Sequence, residues 1–572
     1  MRGFLVILST IFYLGTTAQT TMLPSNNKAA KAWADSVYNS LSDDERIAQL
    51  MVVRLSTYDF NKKIAIFFDK QVDTLVRQYN VGSICLFQGN PVQQAMILNH
   101  LQSVAKTPIL TCMDAEWGVG MRMFDDVQGL PKQIMLGAMS DPSILYQYGK
   151  IVGRQCKRIG VNVNYAPVVD INNNPNNPVI NDRSFGEDKY KVAHFAIQYM
   201  KGMQDIGVMA CAKHFPGHGD VSVDSHFDLP VIKKSMKQID SLELYPFKQI
   251  FKAGIGSVMV AHLYIPAIDS TKNLATSISK KNVTGLMRDK LGYQGLTFTD
   301  ALEMQGVKKF FPDGEAAVQA LIAGNDMLCL PGDVPQAISK IKEAIANKRL
   351  SWNDIEEHCK KVLMIKYQYG LSKWKPIDTA NIIADLNKEV PDMKRLVSEN
   401  AITLLNKTDK VFFPLEKNNK TDSVAYIAIG VDSDNVFAQR MRKDYKATVF
   451  YFNYKQDSSK TNMIVKAVKQ YKYVVVGVHN TLRPPLGNFG VSNQALSLIN
   501  KLNKQSQCIT FVFANPYLVK NFCDAKNLVV CYEDDDIEQQ TAADMLQGKI
   551  SYCGKLPVTV CPKYKFGSGI IK

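Results

Sequence analysis

Between about residues 45 and 335 the chain alternates short apolar runs with amphipathic stretches. The runs read "LMVVRL", "GSICLF", "PILTCMDA", "VNVNYAPVVD", "GVMACAKHF", "GSVMVAHLY", "GLTFTD" and "NDMLCLP", eight in all. Stretches such as "DPSILYQYGKIVGRQCKRIG" and "DKYKVAHFAIQYMKGMQDIG" follow them with helical character. Near-continuous apolar strands separated by helices mark a buried parallel sheet, and eight such units predict a (β/α)8 barrel. Polar residues gather where the runs end: Asp114, Asp170, Lys213 with His214, His262 and Asp300. A barrel puts those ends on one rim, the face that carries chemistry, whereas an open doubly wound sheet would gather them at a single crevice.

Two helices rich in Lys and Glu come next, "PQAISKIKEAIANKRLS" and "NDIEEHCKKVLMIKYQYGL", followed by a connector containing Pro and Asp. Five further runs, "SVAYIAIG", "ATVFYF", "KYVVVGVH", "CITFVFA" and "NLVVCYE", predict a smaller α/β sandwich. The expected class is therefore α/β, with the barrel over residues 25–375, a linker over 376–395 and the sandwich over 396–572.

The first residues change the setting. "MRGFLVILSTIFYLGTTAQT" joins one Arg to an apolar run and then small residues, the pattern of a signal peptide spanning residues 1–18. The expectation is export to the periplasm or the extracellular space, with no stable membrane insertion after cleavage. The formal charge of +15 comes from 68 basic and 53 acidic residues spread along the chain. No basic run with interleaved aromatics accompanies it, so a lysine-rich solvated surface is expected and no nucleic-acid partner. Of the eleven cysteines, Cys85, Cys112, Cys211 and Cys329 fall inside apolar runs and read as small hydrophobes, while the late ones are able to bridge.

The densest chemistry lies in "KHFPGHGDVSVDSH", from Lys213 to His226. A metal reading would use His214, His218, Asp224 and His226, but the spacing is irregular and Cys211 belongs to the strand; no metal and no cofactor are expected. A phosphate cradle would need a glycine-rich turn opening into a helix, and this loop runs into a Pro instead. Acid/base chemistry fits better. Asp224 and His226 are two apart and face the same way in an extended segment, so the carboxylate can orient the imidazole and raise its basicity. Asp300, at the end of "GLTFTD", is then either a nucleophile or part of a helix cap, and Glu303 reads as a capping or solvent residue.

"KHFPGHGD" followed by "DSH", "TDALEM" and "NYAPVVDINNNPNNPVINDRSFGED" together resemble the β-N-acetylhexosaminidases of glycoside hydrolase family 3. The resemblance implies a (β/α)8 barrel followed by an αβα sandwich. It implies Asp300 as nucleophile, His226 as general acid/base with Asp224 completing a dyad, and Asp114, Arg183, Lys213 and His214 as sugar-holding residues. Arg54 is a further candidate at the rim. The implied activity is a retaining, exo-acting β-N-acetylhexosaminidase that works through a covalent glycosyl-enzyme intermediate. It would release terminal non-reducing β-linked N-acetylglucosamine from carbohydrate partners, either cell-wall glycans in peptidoglycan turnover or chitin-type chains. A phosphorylase on the same scaffold and a β-glucosidase remain as alternatives. The chain reads "DAEWG" where simple members read "DQEGG", which leaves Trp117 as either a stacking platform or a lid residue.

Overall fold

The computed structural model describes residues 27–225, 227–416 and 423–572. The expected signal peptide, residues 1–18, and His226 lie outside the described residues. In the first half the strands are β1 (Met51–Arg54), β2 (Ser56–Asp59), β3 (Ile64–Phe67), β4 (Ser83–Leu86), β5 (Leu110–Met113), β6 (Val163–Asn164), β7 (Met209–Phe215), β8 (Ser257–Val260), β9 (Leu296–Thr299) and β10 (Leu328–Cys329). Eight of them form one parallel sheet in the order β10-β1-β4-β5-β6-β7-β8-β9, and these are the eight apolar runs. Thr299 N donates to Met327 O (3.0 Å) and Met327 N to Thr297 O (2.8 Å), joining β9 to the approach of β10 and curling the sheet into a nearly closed barrel.

The barrel strands are buried on both faces, as their unbroken apolar sequences require. Cys85, Cys112, Cys211 and Cys329 fill the interior, and burial pushes the Cys112 and Cys211 thiols up to about 12. Strand β6 is short because Pro167 has no N–H for the ladder. Beyond it the chain rejoins β7 through Val169 N to Lys213 O (2.8 Å). Outside the barrel, helices Ser143–Arg158 and Lys189–Asp205 pack so closely that a Cβ on Gly149 would meet the Tyr199 carbonyl oxygen at 2.3 Å. Strands β2 and β3 form an antiparallel hairpin on the rim directly after β1, which the apolar pattern did not predict.

The second sheet contains β11 (Thr403–Lys407), β12 (Val424–Ile429), β13 (Thr448–Phe452), β14 (Tyr473–Val478), β15 (Cys508–Val512) and β16 (Asn527–Val530) in the order β11-β16-β15-β14-β12-β13. Five strands are parallel and correspond to the predicted runs. The sixth, β11, is an antiparallel edge strand on β16. Alternation splits β12 between two cores: Tyr426 and Ala428 pack with Phe437 and Met441, whereas Ile427 and Ile429 join the core that continues into the barrel. Of the late cysteines, Cys523 and Cys561 form a disulfide. Among the described residues, no helix is long and apolar enough to cross a membrane.

Candidate active site

The C-terminal ends of the barrel strands surround a cavity of about 590 Å³. Asp114 follows β5, Lys213 and His214 lie within β7, and Asp300 follows β9, so register alone brings these residues to one rim. Arg183 reaches the same cavity from the long loop after β6, and Asp224 from the loop after β7. The structure thus brings together every described residue of the expected site.

Five charges of alternating sign run along one wall. Arg122 pairs with Asp114, and Asp114 Oδ1 accepts from Lys213 Nζ at 2.7 Å. Lys213 Nζ also lies 2.7 Å from Glu116 Oε1, which in turn accepts from Arg183 Nη2 at 2.6 Å. Lys213 is 1% and Glu116 0% exposed, so each charge depends on its neighbours rather than on water. Burial alone would raise both carboxyl pKa values. Lys213 and Arg122 outweigh it at Asp114, and Arg183 and Lys213 outweigh it at Glu116, which holds both acids below the ordinary carboxylate range. Lys213 is held ionised in the same way, with burial overcome by Asp114 and Glu116.

Asp170 sits beneath the histidines. Its Oδ2 lies 2.7 Å from His214 Nδ1 and its Oδ1 accepts the His218 backbone N–H at 2.7 Å, which fixes the His214 ring with Nε2 directed toward Arg183 (3.4 Å). Burial, reinforced by the neighbouring His214, pushes His218 down to about 4, so its imidazole is neutral at pH 7. Asp300 Oδ1 accepts the Ala301 N–H at 2.8 Å. The next helix, Gln305–Lys308, begins beyond Met304 and takes no side-chain cap, so Asp300 points at the cavity instead of capping a helix. The β7 loop is tied down on two sides: Asn177 Nδ2 donates to the His218 and Gly219 carbonyls (2.9 and 3.0 Å), and Gly306 N donates to Ser225 O (3.2 Å).

Several assignments change. Glu303 does not cap the following helix; its partly exposed carboxylate lines the cavity and pairs with Arg54, which also lines it. His262 is wholly buried, with Nδ1 2.6 Å from Ser277 Oγ and Nε2 2.9 Å from the Ala301 carbonyl, so it braces the strand end that carries Asp300. Trp117 is not among the cavity-lining residues; its ring lies under the guanidinium of Arg483, at 5.1 Å.

Sequence reasoning missed Glu116, Arg122 and Arg483. Glu116 stands in the "DAEW" segment two residues after Asp114, with no strand end of its own to mark it. Arg483 comes from the sandwich, lines the cavity and grips Asp182 with both Nε (2.8 Å) and Nη2 (2.8 Å). Among the described residues, no group of three or more His, Cys, Asp or Glu side chains is arranged to hold a metal ion.

The family model described as the glycosyl hydrolase family 3 N-terminal domain matches residues 42–365. The chain is 31% identical over 382 residues to beta-hexosaminidase A of Pseudoalteromonas piscicida, covering 61% of this chain and 63% of that protein. It is 26% identical over 385 residues to a beta-N-acetylglucosaminidase/beta-glucosidase of Cellulomonas fimi, covering 65% of this chain and 66% of that one; the match spans just under two thirds of each relative. Among solved structures it is similar to a glycoside hydrolase family 3 beta-N-acetylglucosaminidase from Paenibacillus sp. str. FPU-7. The TM-score is 0.74 at 28% identity, covering 91% of this chain and 99% of that one.

Proposed function

The chain belongs to glycoside hydrolase family 3, and from that premise we propose that it is a retaining, exo-acting β-N-acetylhexosaminidase that removes terminal non-reducing β-linked N-acetylglucosamine. The observation that carries the reading is the convergence of Asp300, Asp224 and the Arg122–Asp114–Lys213–Glu116–Arg183 charge series on one cavity. Such a wall offers donors and acceptors in fixed alternation, which suits a sugar that presents hydroxyls and an acetamido carbonyl.

In this mechanism an Asp300 carboxylate oxygen attacks the anomeric carbon as the glycosidic C–O bond breaks. His226, oriented by Asp224, gives its proton to the departing oxygen, so the aglycone leaves as a neutral alcohol. The same imidazole then takes a proton from water, whose oxygen attacks the anomeric carbon and releases Asp300 with net retention. Lys213 and Arg183 stay ionised throughout and hold the sugar. The segment "MRGFLVILSTIFYLGTTAQT" supports placing the enzyme outside the cytoplasm, on cell-wall or chitin-type glycans. N-terminal sequencing of the processed protein near Ala18 checks that placement.

The test is turnover of a chromogenic β-N-acetylglucosaminide, with the glucoside in parallel and with phosphate present or absent. Asp300→Ala is expected to lose about 10⁴-fold or more in kcat, and azide is expected to rescue it with formation of the α-glycosyl azide. Preserved turnover by Asp300→Ala refutes the mechanism. Preference for the glucoside refutes the substrate, and a phosphate-dependent rate with sugar phosphate as product replaces hydrolysis by phosphorolysis.

A further inference from the structure

Beside the cavity mouth, three aromatic side chains stand on the rim with no core to fill. Strands β2 and β3 leave the barrel directly after β1, and Ser56 Oγ at the hairpin base donates to the carbonyl of Gln88 (2.7 Å), a cavity-lining residue. Phe67, the partner of Ser56 across the hairpin, presses its ring on Gly89, where an added Cβ would come within 2.6 Å of it. Pleating places Ser56, Tyr58 and Phe67 on one hairpin face, with Phe60 continuing the series past the strand end; Ile64 and Ile66 lie on the other face. On the first face Tyr58 packs edge-on against Phe60 (5.0 Å) and Phe124 (5.1 Å). Phe124 is two residues beyond Arg122, whose guanidinium lies over Phe87 in the cavity wall (4.8 Å). The aromatic cluster thus stands beside the rim segments that carry the cavity-lining residues Gln88 and Arg122. Phe60 is 74% and Phe124 46% exposed.

We propose that Tyr58, Phe60 and Phe124 form a stacking platform for the aglycone sugars of a β-linked amino-sugar chain, a distal subsite that selects oligomers over single-sugar glycosides. This rests on the β-N-acetylhexosaminidase reading above. Exposed apolar groups are costly enough that a cluster of them on a rim marks a contact surface. A pyranose ring suits this one because its C–H face is apolar while its hydroxyls project at the edge. Asp125, close enough to Tyr58 to act on its ionisation, stands beside the rings as an acceptor for those hydroxyls. From Ser56 to Phe60 the strand extends about 13 Å, longer than one pyranose ring, so the platform addresses sugars beyond the one that is cleaved. Attachment to rim segments that carry cavity-lining residues favours a sugar chain that enters the cavity over a second protein copy.

The experiment compares kcat/KM for β-1,4-linked N-acetylglucosamine oligomers of two to five units with that for the chromogenic monosaccharide, in the wild-type protein and in Phe60→Ala, Phe124→Ala and Ile64→Thr. The expected result is that the tetramer-to-monosaccharide ratio falls about tenfold in Phe60→Ala and Phe124→Ala, mainly through KM, and holds in Ile64→Thr on the opposite face. An unchanged ratio in both aromatic variants overturns the platform. So does an equal fall in Ile64→Thr, which would make the hairpin a fold element only. Loss of self-association by light scattering in Phe60→Ala, with the ratio unchanged, assigns the patch to a second copy and also overturns it. Failure of the underlying reading is seen separately, as absent turnover of the chromogenic N-acetylglucosaminide by the wild-type protein.

Discussion

Glu116 offers an energetic test of the buried charge series. Its Oε1 receives Arg183 Nη2 (2.6 Å) and Lys213 Nζ (2.7 Å), and its Oε2 receives Arg183 Nε (3.0 Å). Glu116→Gln keeps the shape and an oxygen at the first position. It sets an amide N–H₂ against the Arg183 Nε–H at the second and leaves three cations sharing Asp114. Removing one member of a buried ion pair costs about 3–5 kcal/mol. The amide oxygen retains the two shortest contacts, so the lower end, about 3 kcal/mol, is expected at pH 7. Burial alone would raise the Glu116 pKa, but Arg183 and Lys213 hold it below the ordinary range. The stabilisation is therefore complete above the unfolded value of about 4.3 and is lost as pH falls toward the native one. Across that window the gap between wild type and variant closes by about 1.4 kcal/mol per pH unit, leaving about 1 kcal/mol at pH 3. Urea unfolding followed by tryptophan fluorescence at pH 7, 4 and 3 measures it. Equal midpoints at pH 7, or a gap that widens on acidification, would refute the reasoning.

Arg483→Ala is expected to raise KM for N-acetylglucosaminides about tenfold with a smaller change in kcat, and Arg483→Lys to recover little, because the bidentate grip on Asp182 needs a planar fork; an unaltered KM speaks against it. Replacing Cys523 and Cys561 by Ser removes a crosslink spanning 38 residues, worth about 4 kcal/mol by loop entropy. The unfolding midpoint should drop while kcat/KM holds at 25 °C. Because His218 is neutral in the fold down to about pH 4, the unfolded chain gains a proton there between about pH 6.5 and 4 that the native protein lacks, costing up to about 3 kcal/mol. His218→Asn should flatten the loss of stability with falling pH across that window, and an equally steep profile would contradict the assignment.

The eight barrel strands were legible because a strand covered on both faces must be apolar throughout, and because the ionisable residues sit where those runs stop. The hairpin was not. In "STYDFNKKIAIF" Ile64 and Ile66 of β3 face solvent, Phe67 packs inward, and Tyr58 of β2 meets a neighbouring loop, so no continuous buried pattern marks it. Strand β11, "TLLNK", exists through its pairing with β16, more than a hundred residues downstream in the chain. The same distance limit applies to the site. Asp114, Lys213 and Asp300 could be placed from their strand ends, whereas Glu116 gains its meaning from Arg183, 67 residues away, and Asp182 from Arg483, 301 residues away. Sequence-local chemistry shows which groups can ionise, but only the closed barrel shows which are paired.

The sandwich matters to the site through the loop that carries Arg183. Residues 171–187 have no strand and no helix longer than a single turn, so their polar groups bond to one another, as Val179 N and Ile180 N do to Asn177 Oδ1 (2.9 Å each), and to partners outside the loop. The β7 loop supplies one set through Asn177. The sandwich and the segment after it supply another: Arg483 to Asp182, Asn515 Nδ2 to Asn181 Oδ1 (2.6 Å), Thr559 N to Glu187 Oε2 (2.7 Å) and Glu187 N to Pro557 O (3.0 Å). Arg183 lies between these anchors and holds the end of the charge series. The matched family segment, residues 42–365, stops before any of the sandwich partners. A barrel alone would thus carry the charged residues yet leave Asp182 and Glu187 without these bonds, and Arg183 on a loop held from one side. The second domain contributes position more than chemistry: it keeps one guanidinium where the buried carboxylate of Glu116 requires it.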